Sequence, residues 1–301
     1  MTEQSSPIHF KSGYVAIVGA PNAGKSTLTN RLLGQKIAIT SRRPQTTRNR
    51  VLGVVHRPAA QMILLDTPGV HHASQPLNRR SVQLALSVLA DVDLVIFMVD
   101  AAQPDPDAEA LLLGALRKQT RPVLLAINKI DRLAKPKLLF LIDKWSKRFD
   151  FVDIIPVSAK RGTQLPQLVT AVETRLPVGP PLFPPDMITD LSERFIAAEM
   201  IREKTFRLTG QEIPYAVAVT VESFKVEKEG ALARIQAVIH VERESQKGII
   251  IGKKGAKLRQ IGEAARREIE RMTGTRVFLK LFVRVQKNWT RDSRALRRFG
   301  Y

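Results

Sequence analysis

The sequence predicts an α/β domain built on a doubly wound, mostly parallel sheet, followed by a smaller α+β domain. Three observations carry this. Apolar runs of four to six residues recur through the first half of the chain, with helix-like stretches between them. A proline-dense segment then interrupts every periodicity. Beyond it, strands and helices follow in a different order, and most of the positive charge gathers at the far end. With 301 residues and 44% hydrophobic content, the chain can build two cores of ordinary size.

In the first part the apolar runs are Tyr14–Val18, Met62–Leu65, Leu94–Val99, Val123–Ile127 and Ile154–Val157. Continuous apolar character, rather than strict alternation, suits parallel strands buried on both faces. Helices on both faces then give the doubly wound order. The boundary reads LPVGPPLFPPDM from Leu176 to Met187. Its prolines remove donors and fix φ, so neither a helix nor a central strand passes through, and a stiff, extended connector is expected. The expected division is 1–176, a linker at 177–187, and 188–301.

The second part opens with Asp190-Leu-Ser-Glu193, which reads as a capping box ahead of an amphipathic helix ending near Gly210. Strand-like runs Tyr215–Val221 and Ala231–Val241 flank the charged turn KVEKEG. After GIIIGKKG comes a helix with Leu258, Ile261, Ala265, Ile269 and Met272 on one face. Val277, Leu279, Leu281, Val283 and Val285 then alternate with Lys280 and Arg284 on the other side, the pattern of a half-buried strand. The order α-β-β-α-α-β is that of an α+β domain.

Lys and Arg number 48 against 28 Asp and Glu, a formal net charge of +20. Such a chain needs an acidic partner, with nucleic acid first and an anionic membrane surface second. From Arg243 to Tyr301 there are 17 basic and 5 acidic residues; from Asp186 to Glu242 there are 7 and 10. The absence of cysteine excludes disulfides, thiolate zinc sites and cysteine nucleophiles, and points to a reducing compartment. The opening MTEQSSPIHFKSG has no apolar stretch of the signal-peptide kind. No apolar run approaches the ~18 residues of a membrane span. A cytosolic protein is expected.

Gly19-Ala-Pro-Asn-Ala-Gly24-Lys25-Ser26 fits GxxxxGK[ST], directly after a predicted strand and directly before a helix-like stretch. That context makes the pattern a phosphate site. Gly19 and Gly24 let backbone N–H groups wrap phosphate oxygens, with Asn22, Ala23 and Thr27 completing the loop and helix start. Lys25 would bridge the β- and γ-phosphates, and Ser26 would ligate Mg²⁺. Asp66-Thr-Pro-Gly69 ends the run Met62–Leu65, so Asp66 can hold Mg²⁺ through water and the Gly69 N–H can meet the γ-phosphate. Thr46-Thr47-Arg48 is a switch segment, and Thr47 is the favoured threonine for the Mg²⁺ shell. Lys25, Thr47 and Gly69 are therefore the candidates for contact with the reacting phosphate. Asn128-Lys129-Ile-Asp131 follows the run Val123–Ile127. The Asp131 carboxylate can accept from guanine N1 and N2, a donor pair that adenine lacks. Asn128 and the stem of Lys129 would tie this loop to the phosphate loop and flank the base. In Ser158-Ala159-Lys160, the Ala159 N–H is placed to donate to guanine O6.

In the second part, Gly248-Ile249-Ile250-Ile251-Gly252-Lys253-Lys254-Gly255 contains GxxG immediately before a basic amphipathic helix that includes Lys257. Such a loop clamps the backbone of about four single-stranded nucleotides. Its glycines admit the phosphates, Lys253 and Lys254 supply charge, and the isoleucines would pack the short helix and line the base groove. Arg259, Arg266 and Arg284 would extend the basic footprint.

The five nucleotide motifs, in this order, resemble the translation-factor-related GTPases. With the GxxG half included, the chain is similar to the Era-type bacterial ribosome-assembly GTPases, in which a P-loop GTPase domain precedes a type II KH domain. GAPNAGKSTL, SRRPQTTR, DTPG, NKID, SAK and GIIIGKKGAKLRQIG carry the likeness, which covers nearly the whole chain. It implies GTP and GDP as ligands with Mg²⁺. It also implies the 3′ end of small-subunit ribosomal RNA and the small ribosomal subunit as partners, and a cytoplasmic monomer with peripheral contact to an anionic inner membrane. Val70 stands where a Ras-type GTPase carries a water-orienting glutamine, so slow intrinsic turnover is expected. Relatives with the Asn22 pattern use that residue as a K⁺ ligand, which makes K⁺ a candidate cofactor.

Other features are read as structural. His71-His72 lack carboxylate or cysteine partners at ligand spacing and are expected to be solvated. Trp145 and Trp289 stand alone, so base recognition is expected to rest on aliphatic packing. The final TRDSRALRRFGY, beyond where the family usually stops, is expected to be a solvated tail. Two other functions compete with a GTP switch acting on RNA. One is an RNA-binding structural protein with a vestigial nucleotide domain, which the intact Lys25, Ser26, Asp66 and Asp131 oppose. The other is a membrane-recruited signalling GTPase, which GxxG opposes.

Overall fold

The computed structural model describes residues 9–40, 47–71, 76–209, 213, 217–227 and 231–300. Thr46, His72, Gly210, Tyr215 and the end of the KVEKEG turn lie outside them. By contacts the chain forms two compact units. The first comprises Met1–Gly34, Arg50–His72 and Ser81–Asp190; the second comprises Gln35–Asn49, Ala73–Arg80 and Leu191–Tyr301. The contacts thus group the proline-rich connector with the first unit, and the segment after the first helix with the second.

The first unit holds β1 (Lys11–Gly19), α1 (Lys25–Leu33), β2 (Val51–Arg57), β3 (Ala60–Asp66), the end of α2 (Pro76–Ser87), β4 (Leu94–Asp100) and α3 (Pro106–Leu116). It continues through β5 (Val123–Asn128), α4 (Lys135–Ser146), β6 (Asp153–Pro156) and α5 (Leu165–Glu173). The sheet order is β2-β3-β1-β4-β5-β6, parallel except for β2 against β3. Along β1, Ala16 and Val18 join a core with Leu112, Phe97 and Trp145, while Val15 and Ile17 join another with Leu28 and Leu168. Two cores on opposite faces are what the continuous apolar runs require. Strand β2 was not foreseen: Gly53 interrupts its apolar run, and only its hairpin register with β3 makes it a strand.

The connector forms neither helix nor sheet strand, bends at Leu182–Phe183, turns at Pro185–Asp186, and is bound down. Ser12 N–H donates to the Pro177 carbonyl at 3.1 Å and Gly179 N–H to that of Phe10 at 3.0 Å. The Gln61 side chain accepts from Leu182 and Phe183 N–H at 2.7 and 2.9 Å, and donates to the Phe183 carbonyl at 2.8 Å. Further along, Val54 N–H donates to Ile188 at 2.7 Å and the Thr189 hydroxyl to Leu52 at 2.6 Å. The prolines cannot donate, so the residues between and after them do.

The second unit runs α6 (Glu193–Leu208), β7 (Ala218–Val226), β8 (Leu232–Val241), α7 (Glu244–Ile251), α8 (Ala256–Thr273), β9 (Arg276–Val285) and α9 (Ser293–Arg298). Its sheet is β7-β8-β9, antiparallel then parallel. Two expectations need correction here. Helix α6 is capped by Ser192, whose hydroxyl accepts from Phe195 N–H at 3.3 Å, and not by Asp190. It is also not amphipathic: ten of its residues are buried, among them Arg202 and Glu203. Those charges are tolerated because they are paired, Arg202 with Glu199, and Glu203 with Lys36 and Arg207 at 2.5 Å each.

A third correction concerns the tail. Trp289 is fully buried, and Ala295, Leu296 and Phe299 pack with it and Ala218 into a separate small core. Phe299 meets Trp289 edge to face, with ring centres 5.1 Å apart. The arginines Arg294, Arg297 and Arg298 point outward while the apolar side of α9 folds back onto the sheet.

Candidate nucleotide and RNA sites

At the carboxyl end of the first sheet, four loops converge. The loop between β1 and α1 turns through Asn22 at φ 62° and Gly24 at φ 106°. A side chain at Gly24 would lie 2.2 Å from the Asn128 amide nitrogen, so both backbone angle and space demand glycine there. Lys25 is buried at the start of α1 and donates to the carbonyls of Gly19 and Ala20 at 3.0 and 2.9 Å. Burial lowers its pKa to about 8, with the Asp66 carboxylate pulling the other way.

Asp66 ends β3 with no exposed surface, and neither carboxylate oxygen has a hydrogen-bond partner. Burial pushes its pKa up to about 6, opposed by the Ser26 hydroxyl and the Lys25 ammonium. A buried carboxylate with two open oxygens beside a serine hydroxyl is a donor set that fits Mg²⁺. The next residues fix this loop on β1: the Thr67 hydroxyl donates to Ile17 at 2.8 Å, and Val70 N–H to Gly19 at 3.1 Å. Gly69 sits so close to Pro21 that a Cβ would be 2.7 Å from its Cα. Val70 is fully buried, and its side chain belongs to the core.

Asn128 ends β5 and braces the site. Its amide donates to the Ala23 carbonyl at 2.7 Å, and its oxygen accepts from Ala159 N–H at 2.9 Å. The Ala159 N–H is therefore engaged by Asn128 rather than left for guanine O6 as expected. Asp131 accepts from the Ser158 hydroxyl at 2.6 Å, which chiefly holds its carboxyl below the usual range. Its other oxygen lies 3.8 Å from the Arg161 guanidinium. Lys129, at φ 66°, directs its ammonium to Asp100 at the end of β4. Asp100 was missed in the sequence, although an aspartate closing an apolar run, as Asp66 does, was the available signal. Lys160 is exposed, and its carbonyl accepts from Arg31 at 2.8 Å. Ser26 and Thr27 are half-buried at the head of α1, and Asn22 is exposed. Thr47 is half-buried and falls in the second unit. His71 is not simply solvated: it is half-buried, with Nδ1 3.0 Å from the Gly69 carbonyl.

In the second unit, Gly252 at φ 69° ends α7, and Lys253–Gly255 turn into α8 with Lys254 at φ 51°. A Cβ on Gly252 would stand 2.7 Å from that of Lys257, so this turn needs glycine. Lys253, Lys254 and Gly248 are exposed, while Gly255 and Lys257 are half-buried. Ile249 and Ile251 remain half-exposed, but Ile250 is fully buried and belongs to the core instead of the groove. On α8, Ile261, Ala265 and Ile269 are buried as expected, leaving Arg259 and Arg266 exposed.

The sequence matches two protein families: the 50S ribosome-binding GTPases over residues 14–129, and the KH domain over residues 212–290. It is 53% identical to the GTPase Era of Geotalea uraniireducens over 301 residues, covering all of both chains. It is also 53% identical to that of Geobacter metallireducens, over 97% of this chain and 98% of the relative. Among solved structures it resembles Era in complex with MgGDPNP and nucleotides 1506–1542 of 16S ribosomal RNA. It likewise resembles a variant of Aquifex aeolicus Era bound to GDP·AlF4⁻. Each has a TM-score of 0.93 at 43% identity, over 97% of this chain and 99% of the other.

Proposed function

This chain belongs to the Era family of GTPases, and from that premise we propose that it grips the 3′ end of small-subunit ribosomal RNA and assists maturation of that subunit. It is a GTPase, converting GTP and water to GDP and phosphate. The observation that carries the nucleotide site is the Asn128 brace, which fixes the phosphate loop to the Ser158-Ala159 loop across 2.7 and 2.9 Å bonds.

The roles follow from chemistry. Gly19, Asn22, Ala23, Gly24 and Thr27 present the phosphate cradle. Lys25, which now satisfies two loop carbonyls, turns its ammonium to the β- and γ-phosphates. Ser26 and Asp66 would hold Mg²⁺, which when bound would supply positive charge against the phosphate oxygens. Thr47 is assigned to Mg²⁺ on motif grounds, and Gly69 N–H to the γ-phosphate. Asp131, pre-ionised by Ser158, selects guanine; Lys129, held by Asp100, flanks the base. The buried Val70 orients no water, which supports slow intrinsic turnover. In the second unit, Gly252–Gly255 clamps RNA backbone, with Lys253, Lys254 and Lys257 as its charge.

A cytoplasmic setting is what we infer, supported by the cysteine-free composition, and a monomer is what the family resemblance implies. The +20 charge supports a lesser, peripheral contact with an anionic inner membrane. No helix among the described residues is long and apolar enough to cross one.

The test is GTP hydrolysis at fixed Mg²⁺ and K⁺, with and without RNA of nucleotides 1506–1542. Wild type is run beside the double variant Lys253→Asp, Lys254→Asp. RNA should raise the rate in wild type and not in the variant. A rate indifferent to RNA in both would remove the coupling, and an equal rate in NaCl and KCl would remove K⁺.

A further inference from the structure

The sheet of the second unit has two unlike faces. Toward the helices, Ala233, Ile235, Ala237 and Ile239 of β8 are buried. The opposite face is only partly covered. At one end the C-terminal segment lies over it, with the Phe299 ring 4.5 Å from His240 and its core built on Ala218. The remainder is open, and it carries large aromatic side chains: Phe278 is 52% and Phe282 42% exposed. Along β9 they alternate with Arg276, Lys280 and Arg284, all exposed.

Cations sit on both rings. Arg234 of β8, in register with Phe278, has its guanidinium carbon 5.5 Å from that ring centre. The Lys280 ammonium is 5.2 Å from that of Phe282. At the start of β9, Arg234, Arg266, Arg276 and Phe278, with one carboxylate, Glu270, line an open cleft of about 710 Å³. Glu227 and Glu222 pair with Arg234 and Arg284, but among the described residues no carboxylate pairs with Arg276 or Lys280. Aromatic faces set among cations on an open sheet suit bases and phosphates together. A protein partner would be expected to meet apolar neighbours around each ring.

We propose that this open face is a second RNA surface, on which bases of single-stranded RNA stack against Phe278 and Phe282 while Arg276, Lys280 and Arg284 meet the phosphates. It is separate from the GxxG loop: that loop starts α8, whereas the cleft is lined from the second half of the helix, by Arg266 and Glu270, and from the turn and strand that follow it. The proposal rests on the reading of this chain as an RNA-binding protein and adds to it a surface that recognises bases.

Fluorescence anisotropy of the full chain with labelled RNA of nucleotides 1506–1542 tests it. The variants are Phe278→Ala with Phe282→Ala, the same pair to Tyr, and Lys253→Asp with Lys254→Asp. Stacking on even one ring predicts that the alanine pair weakens binding at least about 5-fold, while the tyrosine pair binds as wild type. Lys280→Ala should lower the salt slope by about one. Both rings are exposed, so unchanged melting will show that the variants fold. If the alanine pair binds as wild type while the GxxG variant loses RNA, this proposal is overturned and the GxxG reading stands. If the alanine pair loses RNA and the GxxG variant does not, this proposal is supported and the GxxG reading fails. Tryptophan at position 282, introduced as Phe282→Trp, should be quenched by the RNA; unchanged emission would exclude contact.

Discussion

Asn128 donates its side-chain amide to the carbonyl of Ala23 at 2.7 Å, joining the loop after β5 to the loop after β1. The same side chain accepts from Ala159 N–H, so one residue spans three loops that are far apart in sequence. Ala23 and Ala159 are both essentially fully buried. In Asn128→Ala, two buried backbone groups lose their partner, at about 1–3 kcal/mol each. Chemical denaturation should show the first unit destabilised by that order. GDP affinity, read with a fluorescent analogue, should fall at least tenfold; undiminished affinity would show that the brace is not part of the site.

Asp66 invites the opposite experiment. Its carboxylate is buried, has no hydrogen-bond partner, and has its pKa raised from 3.8 to about 6. Above pH 6 its ionised form therefore opposes folding of the nucleotide-free protein. Asp66→Asn removes the charge and should raise nucleotide-free stability by about 2 kcal/mol. The same change should abolish the extra stabilisation given by GDP with Mg²⁺. Calorimetry with and without ligand reads both effects, and a nucleotide-free protein that melts earlier would refute the account.

His240 gives the second unit a dependence on acidity. Burial, with Arg284 and Arg298 nearby, lowers its pKa from 6.5 to about 4. Nε2 lies 2.8 Å from the Thr220 hydroxyl, while Nδ1 is buried without a partner. As pH falls, the unfolded chain takes up this proton first. The stabilisation is complete above about 6.5 and is lost progressively down to 4, with a slope of about 1 kcal/mol per pH unit. In His240→Phe the fall in stability over that window should be shallower by this amount, as urea titrations at several pH values will show.

Trp289 tests whether the C-terminal segment is structure. Its side chain has no exposed surface, and Leu296 and Phe299 are buried with it. Trp289→Ala should cost about 3–5 kcal/mol. Arg294→Ala, on the exposed side of the same segment, should change stability by under about 0.5 kcal/mol. Equal melting of the two variants would return this segment to solvent.

What the sequence made legible follows from where the chemistry resides. The phosphate loop, DTPG, NKID and SAK act mainly through backbone and short side chains at strand ends, so contiguous residues announce them. Asp100 could be assigned only once β4 and β5 lay side by side and brought it to Lys129. Strand β2 hid for the same reason, since its pairing with β3 is tertiary information. In the tail, the spacing of Ala295, Leu296 and Phe299 was present but outvoted by four arginines, and charge says nothing about which side of a helix is covered. Phe278 and Phe282 were passed over because the alternation of β9 was read for its buried side alone. Ile250 shows the converse: three adjacent isoleucines on a helix cannot share one environment.

The bonds from Val54 to Ile188 and from Thr189 to Leu52 have a consequence for association between chains. Strand β2 is the outermost of its sheet, and an uncovered outer strand is a template on which another chain can polymerise. Here the chain's own connector occupies part of that template. The residues that do so, Ile188 and Thr189, follow closely on the proline-rich stretch that ends at Pro185. At the opposite margin β6 is only four residues long. Extension of the sheet is thereby hindered on both sides, at one margin by the end of the connector and at the other by brevity, which works against edge-to-edge aggregation of an apolar α/β core.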